Sequence, residues 1–211
     1  MKSNLFPIAQ EGWKHLLVLS ALSLLSFFFN FYFLSILLFF LTLSLLFIFR
    51  NPERKLSNFD SSSLLSPCDG IVKKITPLND EKYAYRIDIE SKLTNVSILR
   101  ISTDGTINSI KKFQGTHVSK TSKLFEVLNE YTVITFSDLN NNHYKILHKT
   151  QQSFFPISIH SFNNEKIKQT SRYGFMNNGI TSLYLPNNFR VNVNITNEVK
   201  ASESLIGHFS S

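Results

Sequence analysis

Residues able to do chemistry are sparse in this 211-residue chain, and they form no familiar motif. Cys68 is the only cysteine, so no internal disulfide can form. The six histidines lack the spacing of an HExxH site, and no CxxC pair is present. The chain also lacks a P-loop, a GxGxxG loop and a GxSxG nucleophile elbow. The common signatures of zinc enzymes, nucleotide-binding proteins and serine hydrolases are therefore absent, and no metal site is predicted.

A long uncharged segment must position whatever site exists. The chain has 22 basic and 15 acidic residues, and none of them lies in the 34 residues from Leu16 to Phe49. A membrane crossing needs about 20 apolar residues, so this segment predicts a membrane anchor and argues against a wholly soluble protein. A cleavable signal peptide is the alternative, but the segment is too long for one, and FRNP follows it instead of a small-residue cleavage site.

The anchor is predicted to be a helical hairpin. A single straight helix of this length would span about 50 Å, against a hydrocarbon core of about 30 Å. Basic residues flank both ends, with Lys2 and Lys14 before the segment and Arg50 and Arg54 after it. The positive-inside rule then places both ends in the cytoplasm, with the turn at Asn30 between legs of about 14 and 17 residues. One tilted helix is the alternative, and it would put the following domain on the opposite side of the membrane from the N-terminus.

The rest of the chain has the texture of β structure. Short alternating or β-branched runs are separated by turn-forming pairs such as Asp104-Gly105 and Asn187-Asn188. These runs cover residues 71–75, 85–89, 96–99, 106–110, 131–136, 143–147, 154–159, 181–185 and 190–195. We predict a mainly β fold, an antiparallel sandwich or barrel-like domain behind the hairpin, with one weak helix at 120–129. The predicted divisions are 1–15 (a cytoplasmic segment), 16–49 (the anchor) and 50–211 (the β domain).

The β domain is basic, with 19 Lys and Arg against 14 Asp and Glu over residues 51–211, a net charge of +5. A basic domain tethered to a membrane favours anionic phospholipid as its partner. Nucleic acid is the rival partner, but the basic residues are scattered and form no compact patch interleaved with aromatic residues. No nucleic-acid partner is predicted.

Four segments, in order and in spacing, resemble the short-form bacterial phosphatidylserine decarboxylases. They are IAQEGW at 8–13, FRNPER at 49–54, SPCDGIV at 66–72 and YLP at 184–186. Two further stretches are similar to that family, RISTDGTI at 100–107 and the closing residues 194–207. The resemblance covers nearly the whole chain. It implies a bacterial inner-membrane protein whose domain faces the cytoplasm.

The resemblance also implies a particular chemistry. In the family, a Ser hydroxyl attacks the carbonyl of the preceding Gly, the chain splits, and a pyruvoyl group remains on the new N-terminus as the cofactor. That ketone carries the conversion of phosphatidylserine to phosphatidylethanolamine and carbon dioxide. An Asp and a His are expected to orient and deprotonate the Ser.

The chain departs from this pattern at its centre. The family segment RFGMIRFGS maps onto RYGFMNNGI at 172–180, so Ile180 stands where the Ser should be, after Gly179. Alignment backwards from Pro186 pairs Asn178-Gly179 with Gly-Ser instead, and the hydroxyl is missing in that register too. None of the seven glycines is followed by Ser. We therefore predict that the pyruvoyl cofactor is absent and that the Gly179–Ile180 position is non-functional.

The family His is also replaced. Counting back from Arg100 puts Ser97 at its position, which leaves Asp69 as the only surviving triad-like residue. The bland interpretation of Asp69 is a tight Asp-Gly turn whose carboxylate caps backbone donors. Four other histidines of the β domain are predicted to be turn or surface residues, namely His117, His143, His148 and His160.

Three functions from different classes remain open. The first is a pseudoenzyme that never self-cleaves and binds anionic phospholipid or an active paralogue, or forms a homo-oligomer. The second is an active decarboxylase that uses an unrecognised residue. The third is a non-catalytic, membrane-tethered interaction module.

Overall fold

The computed structural model describes residues 6–54, 59–60 and 62–210, which fall into two compact units, Met1–Glu53 and Arg54–Ser211. Three helices and fourteen strands occur within the described residues. They are α1 Gln10–Phe28, α2 Tyr32–Ile48, β1 Ser63–Leu65, β2 Gly70–Pro77, β3 Tyr85–Ser91, β4 Ile98–Arg100, β5 Gly105–Phe113, α3 Phe125–Leu128, β6 Tyr131–Asp138, β7 His143–Thr150, β8 Ser158–Ile159, β9 Lys166–Ile167, β10 Arg172–Phe175, β11 Gly179–Leu185, β12 Phe189–Val191, β13 Glu198–Val199 and β14 Leu205–Phe209.

The first unit holds two antiparallel helices. The chain reverses at Asn30, whose φ of 61° is in the left-handed region that Asn tolerates, and Tyr32 donates a hydrogen bond to its side chain (2.8 Å). Farther along, Ser23 and Ser35 each donate to the other's backbone carbonyl across the pair, at 3.1 and 3.0 Å. The two helices and their turn thus agree with the predicted hairpin shape, and a single continuous helix is ruled out.

The membrane-spanning assignment of these helices is not supported. Among the described residues, no helix is both long enough and apolar enough to cross a membrane. α2 has 17 residues, fewer than the roughly 20 that a crossing needs. α1 begins at Gln10, six residues before the predicted start, and its 19 residues include Glu11 and Lys14.

The second unit is mainly β, as predicted, and every pairing between its strands is antiparallel in the part of the chain that the structure describes. Eight strands form the main sheet in the order β13-β2-β3-β11-β7-β6-β5-β9. Two three-stranded sheets, β1-β14-β12 and β4-β10-β8, complete the unit. The strand β11 lies near the middle of the main sheet, between β3 and β7, so both of its edges are hydrogen-bonded.

The core lies on one face of the main sheet. Residues alternate along the strands, so Ile87 and Ile89 of β3, Leu183 of β11 and Ile146 of β7 all point to this face and are fully buried. They pack with side chains of the smaller sheets, including Tyr173 of β10. The opposite face of the same strands carries charged and polar side chains, and this division places the candidate site.

Candidate functional site

The predicted cleavage position lies at the first two residues of β11. Gly179 is opposite Ser91 of β3 and Thr150 of β7, and Ile180 is opposite Glu90 and Lys149. A Cβ atom on residue 179 would lie 2.3 Å from the carbonyl oxygen of Lys149, so only glycine fits this close backbone approach. Ile180 is half-buried and offers only an aliphatic side chain to any chemistry at this point.

Ile180 lines a groove on the outer face of the main sheet, which we call the outer groove. It has a volume of about 580 Å³ and is lined by side chains of β2, β3 and β11 and by Lys120 and Glu126 from the segment around α3. Its basic residues are Lys73, Lys74, Arg86 and Lys120, and its acidic residues are Asp88, Glu90 and Glu126. The position of the missing nucleophile therefore opens onto a charged, solvent-accessible groove.

Asp69 is buried, and its carboxylate is committed to partners within the second unit. Arg54 donates from Nη2 to Oδ2 (2.6 Å), and the backbone N–H of Ala201 donates to Oδ1 (2.8 Å). Arg54 also lies 3.6 Å from Glu203. The carboxylate thus joins the start of β2 to the turn before β14, which is a capping and pairing role.

Asp69 is also close to the cleavage position through its main chain. Ser91 donates from Oγ to the backbone carbonyl of Asp69 (2.6 Å), and Ser91 is the residue paired with Gly179 across β3 and β11. The Asp69 main chain and the Gly179–Ile180 position are therefore joined through Ser91 of β3, the strand that lies between β2 and β11.

Ser97, at the family His position, lies against the segment that leads into β11. Its Oγ accepts a hydrogen bond from Nδ2 of Asn177 (3.2 Å), and its carbonyl accepts one from the backbone N–H of Met176 (2.8 Å). Ser97 is buried, and a hydroxyl at this place cannot act as the base that an imidazole would supply. Asp69 and Ser97 are thus both linked to the start of β11 or to the segment that leads into it, where no Ser follows Gly179 and position 97 carries no imidazole.

A buried polar network on the inner face was missed by sequence reasoning. His148 was predicted to be a turn or surface residue, and this is wrong because it is fully buried in β7. Its Nδ1 is hydrogen-bonded to Thr181 Oγ1 (2.9 Å) and its Nε2 to the Tyr173 hydroxyl (2.6 Å). The signal was present in the sequence, since a period of two from Tyr144 and Ile146 places His148 on their face.

Burial keeps the titratable groups of this network uncharged. Burial lowers the pKa of His148 to about 3. Burial also raises the pKa of the Cys68 thiol to about 11, against weaker opposing hydrogen bonds from Thr181 and Ser91. Tyr173 belongs to β10 of the sheet β4-β10-β8, and burial raises its pKa well above the ordinary value. The network is therefore neutral at physiological pH, and it joins the main sheet to the sheet β4-β10-β8.

The other three histidines predicted to be turn or surface residues have varied surroundings. His143 and His160 are exposed, as predicted. His117 is partly buried, with Nδ1 hydrogen-bonded to the Ser153 carbonyl (2.8 Å) and Nε2 to Glu130 (3.0 Å). This bridge holds the segment before α3 to Glu130 and to the segment after β7.

Comparison with known proteins gives a consistent result. The family described as phosphatidylserine decarboxylase matches residues 41–207. Proteins named phosphatidylserine decarboxylase proenzyme are similar over most of their length. The relative from Paraburkholderia xenovorans is 25% identical over 203 residues, covering 94% of this chain and 95% of the relative. The relative from Carboxydothermus hydrogenoformans is 27% identical and covers 84% of each. The relative from Nitrosomonas eutropha is 24% identical, covering 99% of this chain and all of the relative.

Proposed function

Because this chain belongs to the phosphatidylserine decarboxylase family, we propose that it serves phospholipid metabolism as a member that does not self-cleave and binds anionic phospholipid without decarboxylating it. One observation carries the proposal: neither residue at the start of β11, Gly179 or Ile180, has a hydroxyl group. The family's pyruvoyl group is made from a Ser that follows Gly. The residues present here do not fit that group.

The surroundings of this position support the same conclusion. Ser97 replaces the expected base and is hydrogen-bonded to Asn177. Asp69 is neutralised by Arg54 and fixed by the Ala201 N–H, so it is held in a structural role. Restoring one residue would therefore leave two other parts of the machinery unsuited to self-cleavage.

We further propose that the first unit attaches the protein to the bacterial inner membrane, with the β unit on the cytoplasmic side. The support is the apolar surface of its two helices, where large side chains such as Phe28, Phe33 and Leu24 are 61–85% exposed. Such a surface favours the acyl region of a bilayer over water. The basic residues at both ends of the hairpin favour contact with anionic headgroups.

The decisive experiment is the intact mass of the full chain, purified in a mild non-ionic detergent. We expect one unprocessed species of 24.3 kDa with no ketone at an internal N-terminus. The Paraburkholderia xenovorans relative, treated identically, is the positive control for splitting. Two fragments meeting near residue 179 would overturn the proposal.

Two further measurements test the lipid part of the proposal. Release of labelled carbon dioxide from phosphatidylserine should equal the blank, because no electron sink is formed. Native mass spectrometry of the chain released from mixed micelles should show anionic phospholipid retained in preference to phosphatidylcholine. Equal retention of the two lipids would instead favour the membrane-tethered interaction module.

A second candidate function, an active self-cleaving enzyme, is favoured by one contact. Thr181 follows Ile180 directly, and its hydroxyl lies 2.9 Å from the neutral His148 imidazole, as a nucleophile lies beside a base. Attack of Oγ1 on the Ile180 carbonyl would form an ester and break the Ile180–Thr181 amide. Against it, Thr181 is fully buried and paired with both Ile89 and His148 in regular ladders. The intact mass separates the candidates, because β-elimination of that ester, with the Ile180 carboxylate as the leaving group, would yield one fragment ending at Ile180 and one beginning at residue 181.

A further inference from the structure

The outer groove has an orderly arrangement of charge along its central strand. Alternation puts Arg86, Asp88 and Glu90 of β3 on the same outer face. Across from Asp88 lies Lys74 on β2, and across from Glu90 lies Ile180 on β11. Acidic and basic side chains are therefore held within reach of one another on a rigid sheet.

Each carboxylate of the groove already has a cation. Asp88 accepts from Arg86 Nε (2.7 Å) and from the Ser182 hydroxyl (2.5 Å). Glu126 is paired with Lys149 (2.5 Å), whose ammonium lies outside the groove lining. The acidic side of the groove is thus neutralised by contacts within the chain.

Glu90 is the most heavily bonded of the three carboxylates. Lys120 and Gln151 donate to Oε1, and the Lys73 ammonium lies 3.4 Å from Oε2. Burial alone would raise the pKa of Glu90, but the hydrogen bonds from Lys120 and Gln151 hold it below its ordinary value. Glu90 therefore stays ionised and its charge is balanced by its neighbours.

The cations of the groove keep donors in reserve. Lys74 is exposed, and within the described ranges no hydrogen bond or ion pair joins it to another side chain. The side chains of Lys73 and Lys120 are 48% and 49% exposed, and each ammonium has three N–H donors. The groove therefore presents surplus donors and positive charge, while each of its carboxylates already has a cationic partner.

We infer that the outer groove binds a phosphomonoester that carries no ammonium group. A phosphomonoester offers several acceptor oxygens and up to two negative charges, which match surplus donors gathered in one groove. An ammonium attached to the same ligand would meet Lys74, Arg86 and Lys120 with no unbalanced carboxylate to receive it. The inference rests on the proposed function and deepens it, since it names the group that is recognised. The phosphomonoester could belong to a lipid or to a soluble metabolite.

The test compares two soluble ligands that differ in the ammonium group. Isothermal titration of the full chain in non-ionic detergent, at low salt, would measure glycerol 3-phosphate against phosphoethanolamine. We expect glycerol 3-phosphate to bind at least about fivefold more tightly, because like charges repel across the groove. Lys74→Gln should weaken glycerol 3-phosphate binding about threefold, the size expected of one partly exposed ion pair. The matched control is Lys166→Gln on β9, at the far edge of the sheet, which should change nothing.

A second variant should weaken the preference for glycerol 3-phosphate over phosphoethanolamine. Lys120→Gln removes the charge of one Glu90 partner and leaves Lys73 and Gln151, so that carboxylate can accept an ammonium more readily. The preference for glycerol 3-phosphate should then fall to below about twofold. Equal binding of the two ligands by the unmodified chain, no binding of either, or equal effects of Lys74→Gln and Lys166→Gln would overturn the inference.

A lipid arm identifies the source and separates this inference from the proposed function. Retention of phosphatidic acid over phosphatidylserine in native mass spectra, competed by glycerol 3-phosphate, assigns the groove to a lipid headgroup. Binding of glycerol 3-phosphate with no retention of any anionic lipid upholds the groove but overturns the proposed lipid function. Equal retention of phosphatidic acid and phosphatidylserine, insensitive to Lys74→Gln, overturns the groove while leaving the proposed function standing.

Discussion

The two faces of β11 carry similar residue types in different surroundings. On the inner face, Thr181 joins His148 and Tyr173 in a network from which water and charge are excluded. On the outer face, Ile180 lines a groove of charged side chains, and Ser182 donates a hydrogen bond to Asp88 of that groove (2.5 Å). Consecutive residues of one strand thus lie in different dielectric surroundings, and those surroundings decide which groups can ionise.

This contrast decides which side chains at the start of β11 can reach a ligand. A nucleophile at position 180 would face the groove, where a ligand has access. The hydroxyl and the imidazole that the chain does retain at this level, Thr181 and His148, lie on the closed side. Proximity of a hydroxyl and a base is therefore not enough, because the reacting group must also face the ligand.

The largest effect should come from breaking the inner face. His148→Ala removes two hydrogen bonds, leaves the Thr181 and Tyr173 hydroxyls without that partner, and opens a cavity. We expect the free energy of unfolding to fall by about 4 kcal/mol. Lys145→Ala, three residues earlier on the other face of β7, is the control and should cost about 1 kcal/mol through its lost contact with the Tyr184 ring. Urea unfolding in detergent measures both, and similar losses would show that the faces do not differ as described.

Ion pairs give the next test of the same contrast. Asp69→Asn leaves the Arg54 guanidinium, which is 9% exposed, with the more distant Glu203 carboxylate (3.6 Å) in place of its short ion pair. We expect a loss of about 3 kcal/mol, typical of breaking a buried pair from one side. Asp88→Asn, whose partner Arg86 is 36% exposed on the groove, should cost about 1 kcal/mol. An Asp69 variant as stable as the unmodified chain would contradict a structural role for this carboxylate.

Acid should destabilise the protein through the inner face. The pKa of His148 is about 3 in the folded protein and about 6.5 when unfolded, so the unfolded chain binds the extra proton first. The stability that neutral His148 contributes is fully present above pH 6.5 and is lost as pH falls from about 6.5 towards 3. Between pH 7 and pH 5 the loss should be about 2 kcal/mol. Unfolding curves at several pH values measure it, and His148→Gln should remove this part of the slope.

The smallest effect is expected at the outer face. Ile180→Ser restores the family's Gly-Ser pair, yet the chain should remain uncut because Ser97 supplies no base and Asp69 is bound to Arg54. Ile180 is half-buried, so stability should fall by only about 1 kcal/mol. Intact mass and urea unfolding are the measurements. A split chain would show that the retained parts suffice for self-cleavage once a hydroxyl faces the groove.

Local patterns predicted the regular strands well. The alternation at 131–136 corresponds to β6, and the run at 181–185 lies within β11. The asparagine turns at Asn141 and Asn164 have the left-handed backbone that this residue tolerates. Such features depend on neighbours in the sequence, so the sequence reports them.

What failed depends on partners far along the chain. Two-residue strands such as β9 and β13 exist only because β5 and β2 lie beside them. α3 covers four residues of the ten predicted, since Asn129 already has an extended backbone (φ −73°, ψ 145°) and its side chain donates to the carbonyls of Val118 and Thr150. The burial of His148 is set by Thr181 and Tyr173, which are 33 and 25 residues away. The candidate positions Asp69, Ser97 and Gly179 came from family resemblance, and the groove that Ile180 lines could not be read from the sequence.

The single cysteine also reports on how often the core of the second unit opens. Cys68 is 2% exposed and lies in the hydrogen-bonded core beside Thr181 and Ser91, so a thiol reagent can reach it only when that core opens. The rate at which a thiol reagent modifies Cys68 in the native protein therefore measures how often the core beneath β11 opens. Ligands that occupy the outer groove would slow the modification of Cys68 to the extent that they stabilise the closed sheet, and no cysteine has to be introduced for this measurement.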